Sequence, residues 1–291
     1  MTTKIIRHHG VDVRATYTPG HGVPLVLCNG WGANLEAFDP LLTHLSNRAQ
    51  LRFDVPGIGG SALPRVPLRM PQLAALVEQL WQHFDITEVD VLGYSWGGAL
   101  AQELARRNPE AVRKLALMAT SPGHIMVPAW PTIALAFANY RWLSVLAKPS
   151  QLFSPELLCR VGPRLFGGEV LRRNPQALLA NLALLREPSV AAMLWQLAAL
   201  AGWSSLPWLS QLRQPTLILA GRQDAVINPL NARILHRLIK DSRLRWINGG
   251  HLFPVLDAPQ LTAQHLAGFF DEHANVVTIR SRRKQVARRA G

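Results

Sequence analysis

The sequence predicts an α/β fold: a mostly parallel central sheet, helices on both of its faces, and a helical segment inserted late in the sheet. Three observations predict it. Short β-rich runs alternate with stretches of helical periodicity, the pattern of a parallel sheet covered by helices. A glycine-flanked serine, Gly93-Tyr94-Ser95-Trp96-Gly97-Gly98, falls between a predicted strand and a predicted helix. From Ser121 to Trp208 the alternation stops, and helical stretches rich in Leu, Ala and Trp replace it.

Taken in order, Val11–Tyr17 reads as a strand after the turn at His9-Gly10, and Leu25–Cys28 and Leu51–Phe53 as short buried strands. Leu73, Leu76, Val77, Leu80 and Trp81 recur at helical spacing and mark an amphipathic helix. Val89–Leu92 is a strand, Gly98–Arg107 a helix and Leu115–Met118 a strand. In the insertion the clearest helices are Pro155–Val161, Pro175–Arg186 and Val190–Leu200. Pro215–Leu219 is the next strand, followed by a helix with Asn228 as N-cap and Pro229 in its first turn. Leu244–Ile247 is the last strand and Leu261–Phe270 the last helix. The expected division is a core of residues 1–120 and 209–275, a helical insertion of 121–208, and a basic, disordered tail of 276–291.

Composition narrows the class. The 291 residues are 48 % hydrophobic and 17 % charged, a globular balance with enough chain for a large core. Cys28 and Cys159 lie far apart, which gives neither a metal-ligand spacing nor a disulfide framework, and a reducing compartment is expected. Met1–Gly10 lacks the apolar stretch of a secretory signal, and the longest apolar run, Ile125–Ala138, is broken by Pro128 and Pro131. The expectation is therefore a cytoplasmic protein without a transmembrane segment. The net charge of +13 raises an anionic partner. However, Arg280, Arg282, Arg283, Lys284, Arg288 and Arg289 crowd the tail without an acid, and no nucleic-acid motif accompanies them. The tail reads as solvated chain or as a docking segment for an acidic surface, with nucleic acid the weaker partner.

The chemistry concentrates in four places. A serine alcohol is a poor nucleophile unless a base activates it and a turn exposes it. Ser95 sits where a sharp strand-to-helix turn would do so, with glycines where side chains would clash. Asp224 follows the strand that ends at Leu219-Ala220-Gly221, and loops after strand C-termini line the sites of parallel sheets. A carboxylate there can orient a histidine and stabilise its imidazolium. Asp54 also ends a strand and is the fallback, although an Asx turn in Asp54-Val55-Pro56-Gly57 would explain it. His251 lies in Asn248-Gly249-Gly250-His251-Leu252-Phe253 after the last strand and is the candidate base. Acyl transfer passes through an oxyanion, and each backbone N–H aimed at it contributes about 3 kcal/mol. Asn29-Gly30-Trp31-Gly32, directly after a strand, suggests the N–H of Trp31 for this task, beside that of Trp96.

Together these residues, in the order Ser, Asp, His, resemble the α/β-hydrolase superfamily over nearly the whole chain. Asp54-Val55-Pro56-Gly57-Ile58-Gly59-Gly60-Ser61 is similar to the superfamily's loop after its next strand. Asn29-Gly30 stands where many relatives have His-Gly. A narrower resemblance is to intracellular depolymerases of medium-chain-length polyhydroxyalkanoates. It is carried by Asn29–Glu36, Ser95–Gln102, Gln214-Pro215-Thr216-Leu217, Gly250-His251-Leu252-Phe253 and the stretch Ala201-Gly202-Trp203 to Trp208. It implies an α/β-hydrolase fold with an inserted helical lid, a Ser95–His251–Asp224 triad, no metal or organic cofactor, and work at storage granules in the cytoplasm. Ser95-Trp96-Gly97-Gly98 is also similar to acyltransferases that handle 3-hydroxyacyl thioesters and to lipid-precursor enzymes of rhamnolipid synthesis. A soluble esterase or acyl-thioesterase, a transacylase and a non-catalytic granule-binding protein are the alternatives. The apolar insertion, with Trp130, Trp142, Trp195, Trp203 and Trp208, suits an acyl pocket or an apolar particle as well as core packing.

Overall fold

The computed structural model describes residues 2–8, 10–45, 47–123, 155–183 and 186–272. The basic tail, Ile125–Ala138, Trp130 and Trp142 lie outside the described residues.

The strands are β1 (Thr2–His8), β2 (Val11–Thr18), β3 (His21–Cys28), β4 (Arg48–Phe53), β5 (Val89–Tyr94), β6 (Val112–Met118), β7 (Thr216–Gly221) and β8 (Ser242–Ile247). They form one sheet in the order β1-β2-β4-β3-β5-β6-β7-β8. Pairing is parallel from β4 through β8, while β1–β2 and β2–β4 are antiparallel.

The hydrophobic pattern separates the sheet's two faces. Along β3, Val26 and Cys28 enter one core cluster while Leu25 and Leu27 enter the other, the period of two that a strand imposes. The first cluster takes Leu73, Leu76, Val77 and Leu80 from α1 (Met70–His83) and Leu100 and Leu104 from α2 (Trp96–Arg107). The second takes Leu266, Phe269 and Phe270 from the last helix and Phe253 from the loop before it.

Between β6 and β7 the described chain is helical: α3 (Pro155–Leu165), α4 (Glu169–Arg173), α5 (Gln176–Leu182) and α6 (Val190–Leu200). After β7 come α7 (Leu230–Leu238) and, after β8, α8 (Pro259–Asp271). No described helix is long and apolar enough to cross a membrane.

Several boundaries differ from the sequence reading. β1 precedes the first strand that the sequence predicts, Val11–Tyr17; only Ile6 among its described side chains is buried, so this edge strand leaves no alternation to read. The helix expected over Pro175–Arg186 ends at Leu182, and the one expected from Pro155 runs on past Val161 to Leu165. α7 begins at Leu230, with the Asn228 Oδ1 accepting the Leu230 N–H at 3.0 Å. Trp203 and Trp208 pack against the first cluster, edge to face at 5.9 Å.

A charged cluster fixes the end of the sheet away from the strand C-termini. Asp90, fully buried on β5, accepts from Arg48 of β4 at 2.7 Å and from Arg113 of β6 at 2.5 and 2.9 Å. Arg48 continues to Asp271, and Lys114 donates to the Phe269 and Phe270 carbonyls, so the cluster clamps the C-terminus of α8. Burial raises the Asp90 carboxyl above its usual range, against the pull of both guanidinium groups. Asp90→Ala should strip Arg113 of its carboxylate, leave Arg48 with Asp271 alone, and cost about 3–5 kcal/mol in urea unfolding.

Candidate active site

Ser95 is the last residue before α2 and has φ 53° and ψ −119°, a sparsely populated conformation for a non-glycine residue. Its N–H donates to the Met118 carbonyl of β6 at 2.9 Å, and its carbonyl accepts from Gly98 N–H at 2.9 Å and Thr120 Oγ1 at 2.7 Å. The glycines after it are needed for close approach. A Cβ on Gly97 would stand 2.1 Å from the Cys28 carbonyl oxygen, and one on Gly98 2.2 Å from Thr120 Oγ1. The turn therefore fits only because β3, β6 and the start of α2 meet there without side chains.

The structure brings the three expected side chains together. His251 Nε2 lies 2.9 Å from Ser95 Oγ, and His251 Nδ1 lies 2.9 Å from Asp224 Oδ2. His251 and Asp224 are buried, while Ser95 is partly open to solvent. Asp224 Oδ1 accepts the N–H groups of Val226 and Ile227 at 2.9 and 2.8 Å, which fixes the side chain with its second oxygen toward the histidine. With Nδ1–H donated to Asp224, Nε2 is the ring's acceptor for the Ser95 proton.

Asp54, the fallback acid, is fully buried elsewhere. Its carboxylate accepts from Leu35 N–H at 2.7 Å, Gly60 N–H at 2.7 Å and Arg14 Nε at 2.5 Å. This is a brace between two loops in place of the expected Asx turn. Arg14 extends it to Glu36 by a two-pronged pair at 2.9 and 2.8 Å.

The N–H groups of Trp31 and Trp96 have no acceptor among the described residues, whereas their neighbours are engaged: Gly32 N–H with Gln196 Oε1, Ala33 N–H with the Gly30 carbonyl, and Leu35 N–H with Asp54. Trp96 opens α2, where the first N–H groups have no intrahelical acceptor.

Supporting contacts were not legible in the sequence. The loop at Phe166-Gly167-Gly168 packs on both the acid and histidine loops: His251 N–H donates to the Phe166 carbonyl at 2.6 Å, and a Cβ on Gly167 would meet the Gln223 carbonyl at 2.0 Å. Asp257 joins Gly250 N–H at 2.9 Å to Val170 N–H of α4 at 3.1 Å. Tyr94 donates its hydroxyl to the His251 carbonyl at 3.0 Å, and burial, then the Asp224 charge, keeps that phenol well above its usual value and protonated. The double glycines Gly167-Gly168 and Gly249-Gly250 were the available signal for the close loop packing. Cys28 is buried, and neither cysteine is in a disulfide. Among the described residues, no His, Cys, Asp and Glu cluster could hold a metal ion.

A serine on a strand–helix turn, an aspartate after β7 and a histidine after β8, on a mostly parallel sheet, define an α/β hydrolase. The chain belongs to that family: the alpha/beta hydrolase fold matches residues 23–258. Within it, the chain resembles poly(3-hydroxyalkanoate) depolymerases, being 39 % identical over 250 residues to that of Ectopseudomonas oleovorans, with 85 % of each chain covered. It is also 31 % identical over 245 residues to the pimeloyl-[acyl-carrier protein] methyl ester esterase of Aromatoleum aromaticum, covering 81 % of this chain and 93 % of the relative. The fold is shared with an esterase from Exiguobacterium antarcticum at a TM-score of 0.75 and 23 % identity, covering 93 % of this chain and 99 % of that one. The protein is a serine-dependent ester hydrolase.

Because a Cβ on Gly97 has only backbone to meet, Gly97→Ala should cost about 3 kcal/mol in denaturant unfolding, from overpacking without a side chain that can yield.

Proposed function

We propose that the protein cleaves the ester bonds of medium-chain-length polyhydroxyalkanoate, releasing 3-hydroxy acids or oligomers through an acyl-enzyme on Ser95. The observation that carries the reading is the relay of 2.9 Å contacts from Ser95 through His251 to Asp224, in a chain 39 % identical to a poly(3-hydroxyalkanoate) depolymerase. In this reading Ser95 Oγ attacks the ester carbonyl while His251 Nε2 takes its proton. The N–H groups of Trp31 and Trp96 receive the oxyanion. His251 then protonates the leaving alkoxide, and water activated by the same ring releases the acyl group. Asp224 holds the imidazolium as it forms. Each step uses side chains, these two backbone N–H groups and water.

Residues 121–208 act as a lid over a core of 1–120 and 209–275. Trp31, Val190, Leu194 and Leu197 expose apolar surface at 45, 59, 56 and 47 %, and Trp31 and α6 touch through the Trp31 Nε1 bond to the Met193 carbonyl at 2.9 Å. The exposed apolar side chains of Trp31 and α6 support an apolar polyester as the substrate, and with it a granule surface in the cytoplasm as the place of action. The basic tail, which reads as solvated chain or as a docking segment for an acidic surface, lies outside the described residues.

A second reading, a carboxylesterase on small acyl substrates, is favoured by the 31 % identity to the pimeloyl-[acyl-carrier protein] methyl ester esterase. Incubation with a suspension of medium-chain polyhydroxyalkanoate, with counting of released 3-hydroxy acids, separates the two. Release by the wild type that Ser95→Ala abolishes is the expected result. No release, with activity kept on a soluble p-nitrophenyl acyl ester, would sink the polymer reading and leave the esterase. On the soluble ester, Asp224→Asn should lower kcat about 10⁴-fold through the wrong histidine tautomer, while leaving KM within a few-fold.

A further inference from the structure

The buried face of α6 carries a polar residue where packing alone would place an apolar one. Ala192, Met193, Gln196 and Ala199 are buried, at the helical spacing of one face, while Val190, Leu194 and Leu197 are exposed. Gln196 is 4 % exposed, and its Nε2 has no partner among the described residues. A half-satisfied buried amide costs stability that a Leu or Met would not. Its gain must therefore lie in the bond it does make: Gln196 Oε1 accepts the Gly32 N–H at 2.7 Å.

That bond is one of three from α6 to Gly32, Trp31 and Trp96, and the backbone N–H groups of the last two have no acceptor among the described residues. Trp31 Nε1 donates to the Met193 carbonyl at 2.9 Å, and Trp96 Nε1 donates to the Gln196 carbonyl at 2.8 Å. Gly32 follows Trp31 directly and has φ +73°, so the peptide on its N-terminal side is fixed by whatever holds the Gly32 N–H. The orientation of the Trp31 N–H is tied to the same stretch of backbone. Position 32 also touches Met193 and Pro188 by packing: a Cβ there would lie 3.6 and 3.5 Å from their side chains.

We infer that Gln196 is a positioning residue for the oxyanion loop, through which α6 must be seated for the Trp31 N–H to reach the developing oxyanion. The inference rests on the serine-hydrolase reading of Ser95 and not on the polymer. It makes the helical segment part of the catalytic geometry as well as a cover: when α6 lifts, the Gly32 bond and both indole bonds break together, and the oxyanion loop loses its outer wall. Closure and competence are thereby one event.

The test compares wild type, Gln196→Met, Gln196→Glu and Ser95→Ala on a soluble p-nitrophenyl octanoate. It reads kcat, KM, the thermal unfolding midpoint, and the affinity of an alkylboronic acid that mimics the tetrahedral intermediate. Gln196→Met keeps the length and removes the amide. The expected result is a kcat lowered about 10- to 100-fold, since an ångström of misplacement has that effect. KM should stay within about threefold, boronate affinity should fall in parallel with kcat, and the unfolding midpoint should be unchanged or raised. Gln196→Glu keeps an acceptor at the same reach and should recover part of kcat and of boronate affinity. A Gln196→Met kcat within twofold of wild type, or a loss confined to KM, overturns the inference. If Gln196→Met lowers the midpoint as well, Gln196→Glu decides: kcat regained at an equally low midpoint supports positioning, and none regained overturns it. Ser95→Ala as active as wild type would instead overturn the serine reading, and this inference with it.

Discussion

The backbone of Ser95, held at φ 53°, is the constraint on which the rest of the structure depends. A residue in that conformation is stable only if its surroundings over-determine it. Here they do so from three sides. The Met118 carbonyl of β6 takes its N–H, Thr120 and Gly98 take its carbonyl, and Gly97 lets the turn rest against the end of β3. The order of the central strands follows from this need. β3, β5 and β6 must be neighbours, because the turn after β5 is braced by the ends of the other two. The end of β3 that braces it also launches the loop at Asn29, so Ser95 and the backbone of Trp31 share one rigid origin.

The remaining members arrive on loops, and loops need their own restraint. Asp224 and His251 follow β7 and β8, which pair in parallel, and Gln223 N–H bonds the Gly249 carbonyl at 3.0 Å, so the acid and base loops are stitched together before either meets Ser95. Asp257 and the Phe166 carbonyl then tie the histidine loop to the helical segment. On the other side, Asp54 with Arg14 ties the oxyanion loop to the loop after β4. Neither aspartate touches the relay; each satisfies backbone N–H groups that would otherwise be orphaned in buried loops.

Much of this was legible in the residues because the chemistry forces local patterns. Gly93-Tyr94-Ser95-Trp96-Gly97 is readable since only glycine fits beside the Cys28 carbonyl, and Gly249-Gly250-His251 since the loop presses on its neighbours. Strand positions were legible where both sheet faces are covered, as at Leu25–Cys28 and Val89–Leu92. β1 was not, because its exposed edge lacks a hydrophobic period. Asp54 was legible as a strand-end acid but not as a brace, because its partner Arg14 is set by the pairing of β2 with β4 and Leu35 by the path of the loop after β3. Gln196 carried no local signal at all. A glutamine within an apolar helix reads as a surface residue until the fold shows which face is buried.

The two ends of the sheet are held by different kinds of force, and this bears on what can move. At the end near Asp90, Arg48, Asp90 and Arg113 of β4, β5 and β6 form a largely buried network, with the exposed Asp271 of α8 at its edge, whose disruption strands charge in low dielectric. At the strand C-termini, α6 is held to Trp31, Gly32 and Trp96 by neutral bonds donated by two indole N–H groups and one peptide N–H. Neutral bonds of this kind contribute about 1 kcal/mol each, because water replaces them when they open. The polar restraint on the two sides of Ser95 thus differs in kind: charged and costly to break at the far end of the strands, neutral and individually weak where α6 meets Trp31, Gly32 and Trp96. Helix α6 therefore depends on the apolar face it buries, Ala192 and Ala199, for the rest of its hold.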